Sequence, residues 1–454
     1  MTASAAPGPR GLPLIGNVIP FRRDVLRLLL ESRERFGDVV RFRLGPMVVH
    51  LVAHPDLIRQ VLQEREEHYD KETRSSSKIR GMTGLGLLTA SGELWRRQRR
   101  LVQPSFQPAA VAGFVGRMTE AAEAMLERWE RHAPPGNRPL DIASEMMRLT
   151  YAIVGGTLFS ADVSGDAARA EEAMAVLLAH TYRRLQYLVD PPQWLPTPGN
   201  RRFRKARLTV DRVVYRILAE RRGRAAAGEE EPGDLVSRLL RERYEPTGQG
   251  MTDEQLRNET LTLLLAGHET TANALTWTLY LLARHPEVLE RVRDEAAAVF
   301  GGRSPEAADL CSLVFTERVL RESMRLYPPI WAMERRAVRD DELGGHPIPS
   351  GSTVVVSPWV THRHPGFWEE PGRFDPERFT AERSDGRPAL AYFPFGAGPR
   401  FCVGSHFAMT EALVITALVA RRWRLRLVPN RPVVPMPGIT LRARDGVWVM
   451  LEPW

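Results

Sequence analysis

The chain has 454 residues, of which 43% are hydrophobic, and a formal net charge of +8 at pH 7. This apolar content supplies a sizeable core, and the charges of both signs are mixed along the sequence, which excludes an intrinsically disordered chain. The basic excess is scattered through segments with helical periodicity, without a basic tail or a recognised binding motif. This distribution argues against a nucleic-acid-binding function.

The first elements in chain order are predicted to be a helix and two strands. The stretch RLLLESRERFG has helical periodicity and ends at Gly37, and VVRFRLGPMVVHLVA indicates two short strands around Gly45-Pro46. From about residue 54 to 325 the pattern is mainly helical, and Asp445-Gly446 between alternating apolar residues predicts a C-terminal hairpin. No repeat or interdomain linker interrupts this pattern. We therefore expect residues 1–454 to form one domain that is mainly α with small β-sheets.

Targeting signals and cysteine content favour a cytoplasmic protein without membrane insertion. The start of the chain has no apolar region typical of a signal peptide, and no apolar run of 18 residues occurs anywhere. The two cysteines, Cys311 and Cys402, are too few for a secreted disulfide framework. Because Cys311 lies in a stretch without further cues, we expect it to be a small buried apolar residue.

The longest predicted helix spans residues 253–284. Thr252 and Gln255 fit a capping box at its start, and Pro286 follows its end. A helix of this length measures about 48 Å and is apolar nearly all round in its middle, so it should run through the centre of the molecule. Its middle nevertheless contains the polar stretch GHETT, residues 267–271. These residues form either a polar stripe that faces solvent or part of a functional site.

The stretch FGAGPRFCVG, residues 395–404, places Cys402 among three glycines and close to Arg400. The glycines permit tight turns and a close approach of the backbone to a bulky group. Backbone N–H groups and Arg400 favour a thiolate over a thiol. A nucleophile would need a base that the sequence does not single out, and a zinc site needs at least three protein ligands. One thiolate suffices for a metal that arrives already chelated, as iron does in haem. A loop cysteine without a function is the alternative.

The pattern Phe395-x-x-Gly398-x-Arg400-x-Cys402-x-Gly404 resembles the haem-binding loop of the cytochrome P450 family at every defining position. Other motifs that resemble the family occur in its order: Trp95-x-x-x-Arg99, AGHETT at 266–271, and Glu322-x-x-Arg325 with Arg378. The similarity covers nearly the whole chain. It implies the cytochrome P450 fold, in which a long central helix lies over a haem held by the cysteine loop.

The resemblance implies a role for each of these residues. Glu269 is the acid and Thr270 the alcohol of the catalytic pair, and Thr270 can bond to the carbonyl of Ala266 four residues earlier, which opens the helix locally. Glu322 and Arg325 form an internal structural pair. The implied haem-binding residues, with Cys402 as the metal ligand, are Trp95, Arg99, Ala266, Arg335 (with Arg336 adjacent), Phe395, Arg400, Cys402 and Gly404.

The implied activity is that of a haem-thiolate monooxygenase that uses haem b, O2 as co-substrate, and electrons from NAD(P)H. Because no flavin or iron–sulfur domain is fused to the chain, we expect a separate ferredoxin and ferredoxin reductase, and a monomeric enzyme. A non-catalytic haem-thiolate sensor and a peroxygenase driven by hydrogen peroxide are alternatives, but the intact Glu269/Thr270 pair favours the monooxygenase. The arginines that could form a surface for an acidic partner, or could simply be solvated, are Arg96, Arg97, Arg100, Arg421, Arg422 and Arg424.

The expected substrate is a medium-sized hydrophobic molecule of secondary metabolism that is hydroxylated or epoxidised. A terpenoid comes first, followed by a fatty acid, a steroid or a macrolide-like polyketide. The segments expected to line the pocket are largely apolar, as a desolvating site requires. They are residues 79–88, 181–189, the middle of the central helix, 330–333 and 437–439.

Overall fold

The computed structural model describes residues 4–132, 138–158, 167–185, 192–228, 234–244 and 248–454. In this part of the chain the protein is mainly helical with small β-sheets, as predicted. The α-helices are α1 (Val18–Arg23), α2 (Val25–Phe36), α3 (Pro55–Arg59), α4 (Arg74–Thr83), α5 (Gly92–Val102), α6 (Pro108–Ala112), α7 (Val115–His132), α8 (Ile142–Leu158), α9 (Ala167–Leu185), α10 (Pro198–Ala226), α11 (Leu235–Arg241), α12 (Asp253–Arg284), α13 (Pro286–Phe300), α14 (Val314–Leu326), α15 (Pro358–Thr361), α16 (Ala381–Ser384) and α17 (Ser405–Arg422).

The strands form four small sheets. They are β1 (Val39–Leu44), β2 (Met47–Val52), β3 (Tyr69–Asp70), β4 (Leu140–Asp141), β5 (Met333–Ala337), β6 (Asp341–Leu343), β7 (His346–Ile348), β8 (Thr353–Val356), β9 (Trp423–Leu427), β10 (Pro435–Pro437), β11 (Leu441–Ala443) and β12 (Trp448–Pro453). The largest sheet has the order β1-β2-β8-β5-β3, in which only β2 and β8 run parallel. The others are β4-β12-β9, β10-β11 and β6-β7.

The N-terminal elements agree with their sequence signals. Helix α2 ends before Gly37, whose φ of 94° is a conformation that glycine adopts without strain. Strands β1 and β2 pair in antiparallel register with Leu44 opposite Met47, so Gly45 and Pro46 form the two-residue connection. The local turn chemistry was therefore sufficient to predict this hairpin.

Helix α12 has the predicted bounds and contains 32 residues. The Thr252 hydroxyl accepts from the Gln255 N–H at 3.2 Å, and the Gln255 side chain accepts from the Thr252 N–H at 2.9 Å, so the capping box is complete. The helix packs against α8, α14 and α17 in the main hydrophobic core. It thus crosses the centre of the molecule, and α17, which follows the cysteine loop, is one of its direct neighbours.

The pair Glu322 and Arg325 on α14 is fully buried and internal, as predicted. Arg325 donates to Glu322 at 2.6 and 2.8 Å, and Arg378 approaches the same carboxylate at 3.5 Å. The remaining Arg325 donors bond to the carbonyls of His362, Pro371 and Arg373. These bonds attach α14 to the segment that leads into the cysteine loop.

The predicted C-terminal hairpin is wrong. Asp445 and Gly446 do form a turn, and Gly446 has φ +76°, but the flanking strands β11 and β12 lie in different sheets. Strand β12 pairs with β9 and β4, and β11 pairs with β10. A Cβ at Gly446 would lie 2.4 Å from the Asp141 carboxylate, so the glycine serves the contact with β4 instead.

The expectation for Cys311 is also wrong, because its side chain is exposed. It lies in a short 3₁₀ helix, Ala307–Ser312, that has no buried residue, and its thiol contacts the carbonyl of Ala308 at 3.2 Å. Neither cysteine forms a disulfide. Among the described helices, none has the length and apolarity needed to cross a membrane.

Candidate active site

A cavity of about 930 Å³ lies between the middle of α12 and the cysteine loop, residues 395–404. Cys402 lines it from one side, and Ala266 and Thr270 line it from the other. The cavity is therefore enclosed by the two segments that the sequence singled out. Every site residue predicted from the sequence is among the residues that line it.

The cysteine loop is shaped by close backbone packing. Gly398 has φ +70°, and a Cβ there would lie 1.9 Å from the carbonyl oxygen of Leu62, so a larger residue does not fit. The Cys402 N–H donates to the carbonyl of Phe395 at 3.0 Å, which closes the loop. Helix α17 begins at Ser405, with Gly404 as its N-cap. The thiol therefore lies just before a helix N-terminus, where a negative charge is favoured.

The protein alone does not turn Cys402 into a thiolate, contrary to our expectation. Burial in the cavity raises the pKa of the Cys402 thiol, although the Gly404 N–H and the nearby Arg99 act in the opposite direction. Arg400, which was expected to assist, instead donates to the carbonyl of Ala90 at 3.1 Å. Because a coordinating metal deprotonates a thiol outright, a metal is the agent that would form the thiolate here.

On the opposite side of the cavity, α12 presents its smallest side chains. Ala266 is exposed to the cavity, although the helix around it is buried. The Thr270 hydroxyl donates to the Ala266 carbonyl at 2.6 Å, which confirms the predicted bond. A bulky planar group can therefore approach the helix at this point without a clash.

Glu269 is anchored through one of its two carboxylate oxygens. Oε1 accepts from Nε and Nη2 of Arg442 at 2.6 Å each, and also from the Thr440 hydroxyl. Oε2 has no hydrogen-bond partner among the described residues, and Glu269 lines the cavity. The side chain is 3% exposed, whereas that of Arg442 is 30% exposed. The ion pair therefore connects the cavity with the protein surface.

Three cations lie together in the cavity without a carboxylate partner in the described part of the chain: Lys71, Arg335 and Arg400. Burial lowers the pKa of Arg335 and of Arg400 to about 10, and burial together with these two arginines lowers that of Lys71. Lys71 donates to the carbonyl of Leu88 at 2.6 Å. Arg400 lies 4.4 Å over the ring of Trp95. Glu66 and Asp70 favour the charged forms only from a distance and form no ion pair with these cations. Buried cations without an ion-pair partner are costly, so this cluster indicates an anionic ligand.

The structure separates Arg335 from its neighbour Arg336 and places Arg99 in the same cavity beside the cysteine loop. Arg336 bonds to Asp70, with Nε 3.1 Å from Oδ1, and is 42% exposed, so it is not available to the cavity. Arg99 donates to the Phe401 carbonyl at 2.9 Å, beside the cysteine rather than beside Arg335.

Sequence reasoning missed Lys71 and Arg442. Lys71 is one of only three lysines in the chain, but a lone lysine in a polar stretch carries no signal of burial. Arg442 lies 173 positions after Glu269, and no motif connects the two.

These residues fit haem. A flat apolar macrocycle needs space between Cys402 and Ala266, a soft axial ligand, and cations for its two propionates. The cavity supplies the space, the Cys402 thiol offers a soft ligand, and the unpaired cations match the carboxylates. The predicted substrate segments line the same cavity through Leu87, Tyr182, Trp331 and Ile439. Residues 186–189 of the predicted segment 181–189 lie outside the described part.

Comparison with known proteins agrees with this geometry. The family model described as "Cytochrome P450" matches residues 6–446. The chain belongs to the cytochrome P450 family. It is 37% identical to cyclooctatin synthase of Streptomyces melanosporofaciens over 96% of this chain and 93% of the relative. It is 38% identical to cyclooctat-9-en-7-ol 5-monooxygenase of the same organism, over 97% and 91%. It is 33% identical to pentalenene oxygenase of Streptomyces avermitilis, over 97% and 95%.

As a cytochrome P450, the protein is a monooxygenase whose cofactor is haem with a thiolate ligand. It uses O2 and electrons that derive from NAD(P)H and reach it through redox partners. Its substrate is hydrophobic, which agrees with the predominantly apolar lining of the cavity.

Proposed function

We propose that this cytochrome P450 hydroxylates or epoxidises a medium-sized terpenoid. The observation that carries the proposal is the large apolar cavity beside Thr270, in a chain similar over almost its full length to a cyclooctat-9-en-7-ol monooxygenase and a pentalenene oxygenase. The polar atoms of Tyr182 and Trp331 are already satisfied, since Tyr182 donates to the Pro437 carbonyl and Trp331 to the Gly438 carbonyl. The cavity therefore offers an apolar ligand mainly hydrocarbon surface.

We propose that Cys402 would bind the haem iron and that Lys71, Trp95, Arg335 and Arg400 would hold the propionates. Arg99, beside the Phe401 carbonyl, orients the cysteine loop. Haem held in this way supplies the reductive activation of O2. The contribution of this chain is to exclude water, orient the substrate and deliver protons.

Proton delivery is the proposed role of Glu269 and Thr270. Arg442 and Thr440 fix Oε1 of Glu269 and leave Oε2 for a proton, which arrives from the solvent that reaches Arg442. A water in the cavity carries this proton onward while it is hydrogen-bonded to the Thr270 oxygen, and the hydroxyl keeps its own hydrogen on the Ala266 carbonyl. Its bond to the Ala266 carbonyl holds the oxygen atom in position.

A pair of threonine variants tests this relay. Thr276 makes the same bond as Thr270, to the carbonyl four residues earlier at 2.7 Å, but it is not among the residues lining the cavity. Thr270→Ala is expected to lower the yield of product per NAD(P)H consumed by about tenfold or more, because a positioned proton donor contributes about 100-fold or more. Thr276→Ala should leave the yield within about twofold. Equal yields in both variants would contradict the role of Thr270.

Substrate class is tested by titration of the purified ferric protein with a terpene, a fatty acid, a steroid and a macrolide. A low-to-high-spin shift of the Soret band is expected with the terpene, and turnover should then give a hydroxylated or epoxidised product. A shift with another class alone would overturn the terpenoid assignment without affecting the assignment of the family.

For electron transfer we propose a ferredoxin with its reductase as redox partner, and a monomeric enzyme in which residues 1–454 act as one domain. The candidate docking arginines differ in their availability. Arg422 and Arg424 already pair with Glu130 and Glu290, and Arg97 and Arg421 donate to backbone carbonyls. Arg100 is exposed and has no ion pair in the described part, which makes it the strongest candidate.

Arg100→Glu tests the proposed docking surface. We expect it to slow reduction by the ferredoxin several-fold at low salt, with a difference that shrinks as ionic strength rises, because steering between exposed charges is screened. The charge-matched control is Arg202→Glu on α10, which should leave the rate unchanged. A reduction rate that does not respond to Arg100→Glu or to salt would exclude this docking surface.

A further inference from the structure

The 83–90 loop, which connects α4 to α5, forms one side of the cavity through Leu87 and Leu88. Bonds within the loop fold its backbone onto the Gly84 and Gly86 carbonyls, and side chains from outside the loop hold it in place. The bonds run from Arg257 to the Thr83 carbonyl at 3.1 Å, from Gln98 to the Leu85 carbonyl at 2.8 Å, from Lys71 to the Leu88 carbonyl at 2.6 Å, from Arg400 to the Ala90 carbonyl at 3.1 Å, and from the Leu87 N–H to Glu259 at 3.0 Å.

Two glycines bring this loop directly onto α12. A Cβ at Gly84 would lie 2.2 Å from Oδ1 of Asn258, and one at Gly86 would lie 2.1 Å from Oγ1 of Thr262. The loop therefore packs on the first turns of α12 with no space between them. Glu259, which lies between Asn258 and Thr262 in the sequence, has no exposed surface as a result.

Glu259 is an acid buried without a counter-ion. Oε2 accepts only from the Leu87 N–H, and Oε1 has no hydrogen-bond partner. The nearest arginine on the same helix, Arg257, pairs with Asp211 of α10 at 2.8 Å. Burial raises the pKa of Glu259 to about 7, with only the Leu87 N–H acting against it.

Within the described ranges, no charged group on the elements around Glu259 compensates its carboxylate. The 83–90 loop contains no titratable side chain, and the residue that α5 directs toward the loop is the neutral Gln98. Arg80 of α4 pairs with Glu72 at 2.7 Å, and Arg238 of α11 donates to Ser105.

We propose that Glu259 is a positioning residue for the cavity: in its neutral form it keeps the 83–90 loop packed on α12, and its ionisation releases the loop and opens the cavity beside Leu87 and Leu88. Among the described residues, the only hydrogen bond of Glu259 is to this loop, and its buried surroundings favour the protonated acid. The inference concerns access to the cavity and does not depend on which substrate the enzyme oxidises.

The direction of the pH effect follows from the two states of the loop. In the closed state the pKa of Glu259 is about 7, whereas an open, solvated Glu259 would have its ordinary pKa of 4.5. Glu259 therefore holds its proton more tightly in the closed state. The free-energy advantage of the closed over the open state that results from this proton is lost as the pH rises from 4.5 through 7. Between pH 6 and pH 8, linkage favours opening by about tenfold.

Hydrogen–deuterium exchange of the haem-loaded protein measures this opening. After correction for the intrinsic pH dependence of exchange, protection in the peptide that contains Leu87 is expected to fall by about tenfold between pH 6 and pH 8. Glu259→Gln is neutral at both values and keeps an acceptor for the Leu87 N–H, so it should retain the pH 6 protection at pH 8. Glu254→Gln, an exposed position on the same helix, should behave as the wild type.

A ligand-binding measurement provides the second readout. Per concentration of neutral 4-phenylimidazole, the form that binds iron, the rate of entry and binding to the ferric haem should rise with pH in the wild type and in Glu254→Gln. It should be constant in Glu259→Gln. The Soret spectrum of each variant verifies that it has folded around haem. The proposal is overturned if the corrected exchange protection of the Leu87 peptide in the wild type is equal at pH 6 and pH 8. This outcome applies even if Glu259→Gln does not fold. A pH response that persists unchanged in Glu259→Gln overturns it as well.

Discussion

Replacement of Arg335 by methionine is expected to weaken haem retention and, at the same time, to stabilise the haem-free protein. In the absence of haem, Arg335 has no carboxylate partner and donates only to the adjacent Glu334 carbonyl. Burial lowers its pKa from 12.5 to about 10, a difference worth about 3 kcal/mol. Both values lie above neutral pH, so this cost is present in full from pH 6 to 9 and declines only as the pH rises through 10.

The magnitudes in the two states have opposite signs. In the haem-free protein, removal of the charge recovers about 3 kcal/mol and forfeits one hydrogen bond worth about 1 kcal/mol, which leaves a gain of about 2 kcal/mol in the free energy of unfolding. In the haem-loaded protein, the variant loses a charge-assisted hydrogen bond to a propionate, worth about 1.5–3 kcal/mol. Haem should then dissociate roughly 10- to 150-fold faster.

Two assays measure these quantities separately. Urea unfolding of the haem-free protein gives the first, and transfer of haem to an excess of apomyoglobin gives the second. The adjacent Arg336→Met is the control, because Arg336 is 42% exposed and pairs with Asp70, and should change either quantity by less than about 1 kcal/mol. If Arg335→Met destabilises the haem-free protein, or leaves haem loss at the wild-type rate, the reasoning about the cation cluster is refuted.

Two further variants address the buried carboxylates. Glu322→Gln leaves Arg325 and Arg378 without their carboxylate and should lower the free energy of unfolding by about 3–5 kcal/mol. Arg378→Met keeps the Glu322–Arg325 pair and should lower it clearly less. Equal losses of the two variants on urea unfolding of the haem-loaded protein would contradict this order. Arg442→Met leaves Thr440 as the only anchor of Glu269 and should lower the yield of product per NAD(P)H consumed by about three- to tenfold. An unchanged yield would show that Arg442 is irrelevant to proton delivery.

Features with a local cause were predictable from the sequence. The bounds of α12 follow from the capping box at Thr252 and the proline after its end, and the β1–β2 connection follows from Gly45-Pro46. The cysteine loop was recognisable from the residue pattern between Phe395 and Gly404, which resembles the haem-binding loop of the cytochrome P450 family. In each case the signal lies within a few residues of the structure that it specifies.

Features that depend on distant partners were not predictable. The turn at Asp445-Gly446 was identified, but its strands pair with β9 and β10, which no local pattern specifies. The burial of Cys311 depends on which side of its 3₁₀ helix faces the core, and its thiol lies on the exposed side. Lys71 acquires its role only from its position beside Arg335 and Arg400 in the folded chain.

The β10–β11 ribbon has a consequence for the evolution of this enzyme. Its tip, residues 438–440, lines the cavity and would contact substrate, while Thr440 and Arg442 anchor Glu269. Leu441 ties the ribbon to the core, since its N–H donates to the Pro329 carbonyl and its own carbonyl accepts from Trp277. Mutations in this ribbon that admit a new substrate would also disturb the bonds that anchor Glu269. NAD(P)H would then be consumed without forming product. Selection for new substrates should therefore change residues 79–88 and 330–333 more freely than this ribbon.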